Sequence, residues 1–458
     1  MDIIKPMIEG VLYPLMEIKN GNRIRKYRSE LLRSQNYTKS QLIDLQKEKL
    51  ASLLCACADG VPAYADLQLT AKEIRRDPYA ALQRVPILTK RQFQADSERY
   101  INGKADRSGF ILNKSGGSTG EPVVFFMDRY TVEHYEAARW RGMSWWGITP
   151  GSRSVMIWGN PIELSANQAE SYRKKDKYLK NRITISAYQL NPECIGSYAA
   201  SIDRYHPEYL YGYATALYAF ASLMEQASVR LHISLKAVVS TSETLHEEQR
   251  QVIERVFSCP CVNEYGARDA GILGFEAPDR QIHATFENAV IELLNPRDFT
   301  PVADGESGLV CVTDLNNFAQ PRLRYILGDM ATYASDSAPT TALPSGAYSN
   351  ALPVLRSLDG RQDALLIAAD GTLVHGNFVS QLTRKYGDIL KFQVIQHDQS
   401  SATARVVLRP SNNAVEVLNS YRADLEALLP GVSFTMEQVS DIAPSGSGKY
   451  RYTIRQFD

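Results

Sequence analysis

Four short runs rich in β-branched and aromatic residues, Ser154–Trp158, Ile183–Tyr188, Tyr209–Tyr213 and Leu235–Ser240, are separated by stretches with helical spacing. Strands interleaved with helices of this length must lie side by side in a mixed α/β layer, because each helix carries the chain back across the face it covers. From about Asn288 the pattern turns to strands with short connections: Val290–Leu294, Leu309–Thr313 and Ala331–Ala334. Residues 335–353, rich in Ser, Ala, Pro and Thr, read as a loop. Residues 1–100 read as a mostly helical lead-in, with charged segments such as Lys39–Leu54 and a Pro-Ile-Leu-Thr-Lys stretch at 86–90.

A second unit begins near Asp359-Gly360-Arg361. Leu365–Ala368, Asp370-Gly371 and Leu373–His375 read as a hairpin with the turn residues such loops demand. Phe392–Gln396 and Ala404–Leu408 are further strands, and Asn412–Leu429 is a helix with apolar residues at Val415, Val417, Leu418, Tyr421, Leu425 and Leu428. The boundary falls between Leu358 and Asp363. The expected fold class is therefore α/β (α+β): a large domain over residues 1–358, mixed sheets and helices, followed by a small α+β domain over residues 359–458.

Charge and cysteine usage narrow the class. Lys+Arg number 51 and Asp+Glu 51, so the chain lacks the long-range field of a nucleic-acid binder. None of the six cysteines forms a Cys-x-x-Cys pair, which favours a reducing compartment over a disulfide framework. Asp2, Lys5 and Glu9 interrupt the N-terminal apolar residues, so these do not read as a secretion signal. The chargeless stretch from Tyr209 to Met224 is too short to span a bilayer and contains Gly212; it reads as a strand followed by a buried helix, with no integral membrane segment. The expectation is a cytoplasmic protein, with a homodimer compatible. Ile3, Ile4, Met7, Ile8, Val11, Leu12, Leu15 and Met16 form a helical stripe, for which core packing is the plain account and membrane-surface contact the alternative.

Five segments carry chemistry. Ser115-Gly116-Gly117-Ser118-Thr119-Gly120-Glu121-Pro122 offers converging backbone N–H groups and three hydroxyls to an anion. It is not a Walker A loop, since Gly-Lys-[Ser/Thr] is absent and a strand follows. Asn263-Glu264-Tyr265-Gly266-Ala267-Arg268-Asp269 sets an aromatic face beside a tight glycine turn and a carboxylate, and Arg324-Tyr325-Ile326-Leu327-Gly328-Asp329 repeats the type. Gly360-Arg361-Gln362-Asp363 falls at the domain boundary. Pro444-Ser445-Gly446-Ser447-Gly448-Lys449 ends a flexible loop on one lysine. Alone, each is an ordinary turn, strand end or ion pair. Cys259, Cys261, His283 and Cys311 leave a zinc site open. No Gly-x-Ser-x-Gly elbow is present, and no histidine has a nucleophile at diagnostic spacing, which removes a serine hydrolase.

In this order the segments resemble the adenylate-forming superfamily of acyl-CoA synthetases, nonribosomal-peptide adenylation domains and luciferases. More narrowly they look like the phenylacetate–CoA ligase family and its capsule-biosynthesis-associated relatives, from about residue 45 to the C-terminus; Val85-Pro86-Ile87-Leu88-Thr89-Lys90 adds to the likeness. The resemblance implies that Ser115, Gly116, Gly117, Ser118, Thr119 and Gly120 hold the β- and γ-phosphates of ATP. Ser242, Glu243, Thr244, Tyr265 and Gly266 would lie against the adenine, and Asp329 would bind the ribose hydroxyls with support from Arg361. Asp363 would be the hinge of a small domain that rotates between half-reactions, Lys449 the adenylation lysine and Asp269 the Mg²⁺ ligand.

Two departures stand out. Relatives usually have Tyr-Gly-x-[Ser/Thr]-Glu, whereas here Arg268 and Asp269 close the segment, and Glu121 occupies a position where a basic residue is common. Asp is a shorter hard-oxygen ligand able to hold magnesium directly or through water. The acid pocket would draw on Trp158, Asn160, Tyr213, Ala214 and Arg268, compatible with an aryl or other compact acid. The activity implied is ATP-dependent activation of a small carboxylic acid with release of pyrophosphate, followed by acyl transfer to coenzyme A. The alternatives are transfer to an amine or hydroxyl of a sugar or peptide, and a non-catalytic nucleotide-binding protein.

Overall fold

A computed structural model of the protein describes residues 4–114, 123–158, 176–177, 179–187, 190–334, 351–361, 365–383, 385–410, 413–443 and 452–457. Two compact units emerge. The first takes the described residues up to Leu327 together with Thr332–Ser357; the second takes Gly328–Ala331 and the chain from Leu358 onward.

The larger unit begins with helices. Thr38 opens the helix Lys39–Gly60 with a reciprocal capping box to Gln41, the device expected of Thr-x-x-Gln ahead of an apolar run. Leu50, Leu53, Leu54 and Cys57 on its inner face pack against Ile74, Leu82 and Val85 and against Val290, Leu315 and Leu323. Thr89 caps the next helix in the same way with Gln92. Just before it, Leu88 accepts from the Ile326 N–H and donates to the Arg324 carbonyl, both at 2.9 Å.

Strands β1 (Ile111–Lys114) and β2 (Val124–Met127) form an antiparallel hairpin. Beyond them lies a sheet of eleven strands: β3 (Ser154–Trp158), β4 (Arg182–Ser186), β5 (Tyr209–Tyr213), β6 (Ala237–Thr241), β7 (Cys261–Ala267), β8 (Gly271–Glu276), β9 (Ile282–Ala284), β10 (Ala289–Leu294), β11 (Ser307–Asp314), β12 (Tyr325–Tyr333) and β13 (Val354–Arg361). Their order is β10-β11-β12-β13-β9-β8-β7-β6-β5-β3-β4. The block β4-β3-β5-β6-β7 is parallel, and β7 to β8 and β8 to β9 are antiparallel.

The parallel block needs both faces covered, and the sequence supplies the cover. Helices Pro192–Tyr205, Ala214–Gln226 and Glu247–Phe257 bury Ile202, Phe220 and Ile253 against Val155, Ile157, Leu210, Val238 and Cys261. On the opposite face the helix Arg129–Trp145 sets Trp140 and Met143 against Tyr209, Tyr211, Val239, Val262 and Phe275. Gly142 allows that approach, since a Cβ there would overlap the Phe275 ring. A buried ion pair, Arg141 Nη1 to Glu287 Oε1 at 2.7 Å, joins this helix to the start of the β10 region, and Ser34 donates to the same oxygen.

The smaller unit holds the hairpin β14 (Leu365–Ile367) and β15 (Leu373–His375), with Gly371 at φ +85° in its turn. A second sheet, ordered β18-β17-β16-β19, contains β16 (Ile389–Gln396), β17 (Ser401–Leu408), β18 (Ser433–Gln438) and β19 (Thr453–Arg455). Helix Ala414–Leu428 buries Tyr421 and Leu425 against Val394, Ala404, Val406 and Phe434.

Three expectations need correction. The strand expected at Ala331–Ala334 starts earlier, at Tyr325, so Gly328 lies inside β12 at φ +84° and not in a turn. Gly266 likewise sits within β7, beside a register irregularity with β8; an added Cβ would meet backbone of β8. The N-terminal stripe does not pack inward as one face. Ile8 is buried, whereas Met7, Val11 and Leu15 are 45%, 51% and 56% exposed. Polar anchors fix the helix the other way round: Lys5 reaches Glu208 Oε2 and Ser152 Oγ at 2.8 and 2.9 Å, and Thr149 donates to Glu9.

Candidate active site

The carboxyl ends of parallel strands are where an open α/β sheet exposes side chains to a ligand. Cross-strand register lines them up here. Tyr213 of β5 pairs with Thr241 of β6, and Thr241 pairs with Glu264 of β7. Trp158 extends the row on β3, its ring 4.0 Å from that of Tyr213. One step back, Met156, Tyr211, Val239 and Val262 form an apolar row beneath it. The row thus runs from two aromatic rings through a hydroxyl to a carboxylate.

Glu264 is the most constrained member. Its side chain is 1% exposed. Oε1 accepts from the Tyr211 hydroxyl at 2.7 Å and from Thr241 at 2.9 Å, while Oε2 accepts from Arg139 Nε at 3.1 Å. Arg139 also donates to Glu136 at 2.7 Å, so the helix Arg129–Trp145 delivers a cation held between two carboxylates. Burial raises the Tyr211 pKa well above the ordinary tyrosine value, with Glu264 adding to the rise against Arg139. Burial opposes the charge of Arg139, yet Tyr211, Glu136 and Glu264 outweigh it and hold the guanidinium protonated. A charge buried like that of Glu264 survives only with such a set of partners.

At the end of β6 the chain turns sharply. Ser242 takes φ +66°, in the left-handed region that side chains other than glycine rarely adopt. The turn brings Glu243 to the start of the helix Ala214–Gln226, where Oε2 accepts from Thr215 N and Oγ1 at 2.9 and 2.7 Å, a carboxylate at a helix N-terminus. Thr244 follows in the same turn, half-buried. Ala214, the first residue of that helix, is fully buried.

Tyr265 is 8% exposed at the end of β7, and the turn after it carries Arg268 and Asp269. Arg322 fixes this turn: it is 3% exposed, its guanidinium lies 4.5 Å from the Phe125 ring, and it donates to the Asp269 carbonyl at 2.8 Å. Asp269 itself is half-buried. Arg268 is exposed and donates to the Lys114 carbonyl at 3.2 Å, at the last residue before the glycine-rich loop, so its anchor is the root of that loop. In the smaller unit Arg361 Nη1 contacts Asp329 Oδ1 at 3.0 Å. The arginine crosses Gly328, where a Cβ would lie 3.0 Å from Nη2, so the glycine clears its path.

Ser115, Gly116, Gly117, Ser118, Thr119, Gly120, Asn160, Asp363 and Lys449 lie outside the described residues. Burial pushes the Cys259 and Cys261 thiols up to about 12, and Cys311 lies on β11. Among the described residues no group of three or more His, Cys, Asp or Glu side chains is placed to hold a metal. No helix among them is long and apolar enough to cross a membrane.

No protein-family model matches the chain. It is 21% identical over 420 residues to protein CapK of Staphylococcus aureus, covering 91% of this chain and 89% of that one. Against the indoleacetate–lysine synthetase of Pseudomonas savastanoi it is 33% identical over 259 residues, 54% of this chain and 59% of the synthetase. The phenylacetate–coenzyme A ligase of Escherichia coli is 22% identical over 396 residues, 83% of each. In sequence the chain is similar to adenylate-forming ligases. Its fold agrees: a 2-hydroxyisobutyryl-CoA ligase in the postadenylation state, bound to an acyl-AMP, superposes with a TM-score of 0.67 at 15% identity, over 90% of this chain and 89% of that one.

Of the residues that the structure describes, sequence reasoning singled out Trp158, Tyr213, Tyr265 and the Asp329–Arg361 pair. It placed Tyr211 and Thr241 only within segments expected to line the acid pocket, and gave no role to Glu264, Arg139 or Arg322. The period-2 pattern of β7 carried a signal for Glu264, because it shares a face with Val262 in a strand flanked on both sides.

Proposed function

We propose that the protein activates a small carboxylic acid with ATP, forming an acyl-adenylate and pyrophosphate, and then passes the acyl group to the thiol of coenzyme A, the bond from the acyl carbon to the phosphate oxygen breaking and AMP leaving. The row Trp158–Tyr213–Thr241–Glu264 carries this reading, because it sets a graded aromatic-to-charged surface at the carboxyl ends of the parallel strands. Such a surface suits an aryl or other compact acid, with Arg139 and Glu264 meeting a polar substituent.

In the first half-reaction an acid oxygen attacks the α-phosphorus of ATP, and the bond to the pyrophosphate oxygen breaks. Negative charge shifts onto phosphate oxygens, so groups held in place ahead of the reaction stabilise the transition state. The loop Ser115–Gly120 would hold the β- and γ-phosphates by backbone N–H groups and hydroxyls, with Arg268 at its root. Asp329 would accept from both ribose hydroxyls, kept in register by Arg361. Tyr265, Gly266 and the turn Ser242–Thr244 would lie against the adenine. Lys449 would bring a cation to the reacting phosphate, and Asp363 would serve as the hinge.

Asp269 is a hard-oxygen donor on a turn fixed by Arg322, and so fits Mg²⁺. With no second carboxylate grouped beside it among the described residues, phosphate oxygens and water would complete the coordination. Magnesium would supply charge neutralisation on the phosphates.

A second reading, transfer to an amine, is favoured by the 33% identity to the indoleacetate–lysine synthetase. The test is pyrophosphate release with ATP and Mg²⁺ over a panel of aryl, hydroxy and amino acids, each alone, with coenzyme A, and with lysine or an amino sugar. Acid-dependent release that turns over repeatedly with coenzyme A supports the thiol reading, and turnover with an amine alone supports the second. Absence of release with every acid overturns both. Lys449→Ala should lower adenylation at least about a thousandfold while ATP binding persists.

A further inference from the structure

The N-terminal helix is turned inside out. It runs continuously from Ile4 to Asn20 as an α-turn (Ile4–Met7), a π-turn (Ile8–Leu12) and an α-helix (Tyr13–Asn20). Lys5, Glu9 and Glu17 face the body of the larger unit. Lys5 holds Glu208 and Ser152, Thr149 donates to Glu9, and Glu17 is buried against Arg25. Gly151 lets the helix come close, since a Cβ there would lie 2.8 Å from the Lys5 carbonyl oxygen. The outward face is the apolar one. Met7, Val11, Leu15 and Ile18 are 45%, 51%, 56% and 75% exposed. At the spacing i, i+4, i+8 and i+11 they make one narrow stripe along the helix.

Two observations say what covers this stripe. The chain that leaves the helix is cationic: between Lys19 and Arg28 stand Lys19, Arg23, Arg25, Lys26 and Arg28, with no Asp or Glu. Lys19, Arg23, Arg25 and Lys26 are exposed, Arg25 pairing with Glu17 and Lys26 with Glu30. The area is also informative. The four side chains offer roughly 400 Å² of apolar surface, the scale of the largest patch on a typical monomer. A stable protein–protein interface takes about 800 Å² from each partner, so the stripe by itself is too small for a firm dimer. An apolar stripe flanked by cations matches the boundary between acyl chains and anionic headgroups, where a helix lies flat with its apolar face down.

We propose that the helix Ile4–Asn20 with the basic segment after it is a peripheral docking surface for an anionic lipid bilayer. The stripe enters the headgroup region, the segment Lys19–Arg28 meets the phosphates, and the Lys5–Glu208 ion pair and the Thr149–Glu9 hydrogen bond keep the helix fixed to the enzyme while it docks. The proposal does not depend on the acid, the acceptor or the adenylation reading.

The test is flotation of the full-length chain with vesicles of phosphatidylcholine alone and of phosphatidylcholine mixed with phosphatidylglycerol. Wild type should float with the anionic vesicles and stay behind with the neutral ones, and added salt should weaken binding. Leu15→Ser/Ile18→Ser should lower the partition coefficient by about tenfold or more, and Lys19→Glu/Arg23→Glu by a similar factor at low salt. All these positions are exposed, so both variants should keep the wild-type melting temperature. Failure of wild type to bind anionic vesicles overturns the proposal, as does equal binding by Leu15→Ser/Ile18→Ser. A dimer in sedimentation equilibrium that the apolar variant abolishes, without any vesicle binding, would assign the stripe to a second copy and also overturn it.

Discussion

Replacing Glu264 by Gln separates the charge of this residue from its shape. Glutamine can still accept from Tyr211 and Thr241 through its oxygen, but its amide nitrogen then faces Arg139 Nε, donor against donor. Breaking a buried ion pair by removing one partner costs about 3–5 kcal/mol. Arg139 is 30% exposed and keeps Glu136, so solvent and the second carboxylate reduce that figure. A loss of about 2 kcal/mol is expected. Glu264→Leu goes further, leaving two buried hydroxyls without an acceptor at about 1–3 kcal/mol each, for a total near 5 kcal/mol. Urea denaturation followed by tryptophan fluorescence measures both. In acid-dependent ATP–pyrophosphate exchange, Glu264→Gln should raise the KM for the acid about tenfold and leave that for ATP unchanged. If Glu264→Leu lies within about 0.5 kcal/mol of wild type, the network does not hold this part of the sheet together. If Glu264→Gln raises both KM values alike, the row is not the acid site.

Two further outcomes follow from the structure. Arg361→Ala removes the cation beside Asp329 and should raise the KM for ATP by roughly tenfold or more, the loss expected for a charge-assisted hydrogen bond; an unchanged KM would detach the pair from the ribose. His134 is held neutral by burial, with Lys49 adding to the effect, so that its pKa falls from 6.5 to about 3. Below pH 6.5 the unfolded chain takes up a proton that the folded chain refuses, so this contribution is intact at neutral pH and is lost as pH falls toward 3. At pH 5 the loss is about 2 kcal/mol. His134→Phe should keep the ring between Tyr27 and Tyr130 and flatten the melting temperature between pH 7 and 5; a slope equal to that of wild type would refute the assignment.

The architecture was legible where the chemistry is local. Strand–helix alternation from Ser154 onward announces the parallel block, and the Thr-x-x-Gln boxes at Thr38 and Thr89 mark helix starts that the structure realises. The hairpin around Asp370-Gly371 was legible for the same reason. The N-terminal stripe was misread because its orientation is decided by Glu208 and Thr149, far away in the chain, and not by its own periodicity. Arg139 lies 125 residues from Glu264 on an ordinary-looking helix, so no spacing rule connects them. The packing of that helix on the sheet does, and the register of the strands sets what it meets there.

That register has a consequence for how such a site can change over time. Trp158, Tyr213 and Thr241 each end a strand and Glu264 ends the parallel pairing of β7 with β6, while the residues that hold the strands together lie one step back, in Met156, Tyr211, Val239 and Val262. The proposed recognition and the cohesion are therefore separated by two residues of backbone. A substitution in the outer row alters one point of the proposed acid site and leaves the inner row packed. Tyr211 is the exception, because its ring belongs to the inner row and its hydroxyl to the carboxylate of the outer one. If the row meets the acid as proposed, Trp158 and Tyr213 can be exchanged without disturbing the carboxylate, whereas Glu264 is tied to Tyr211, Thr241 and Arg139 and can change only together with them.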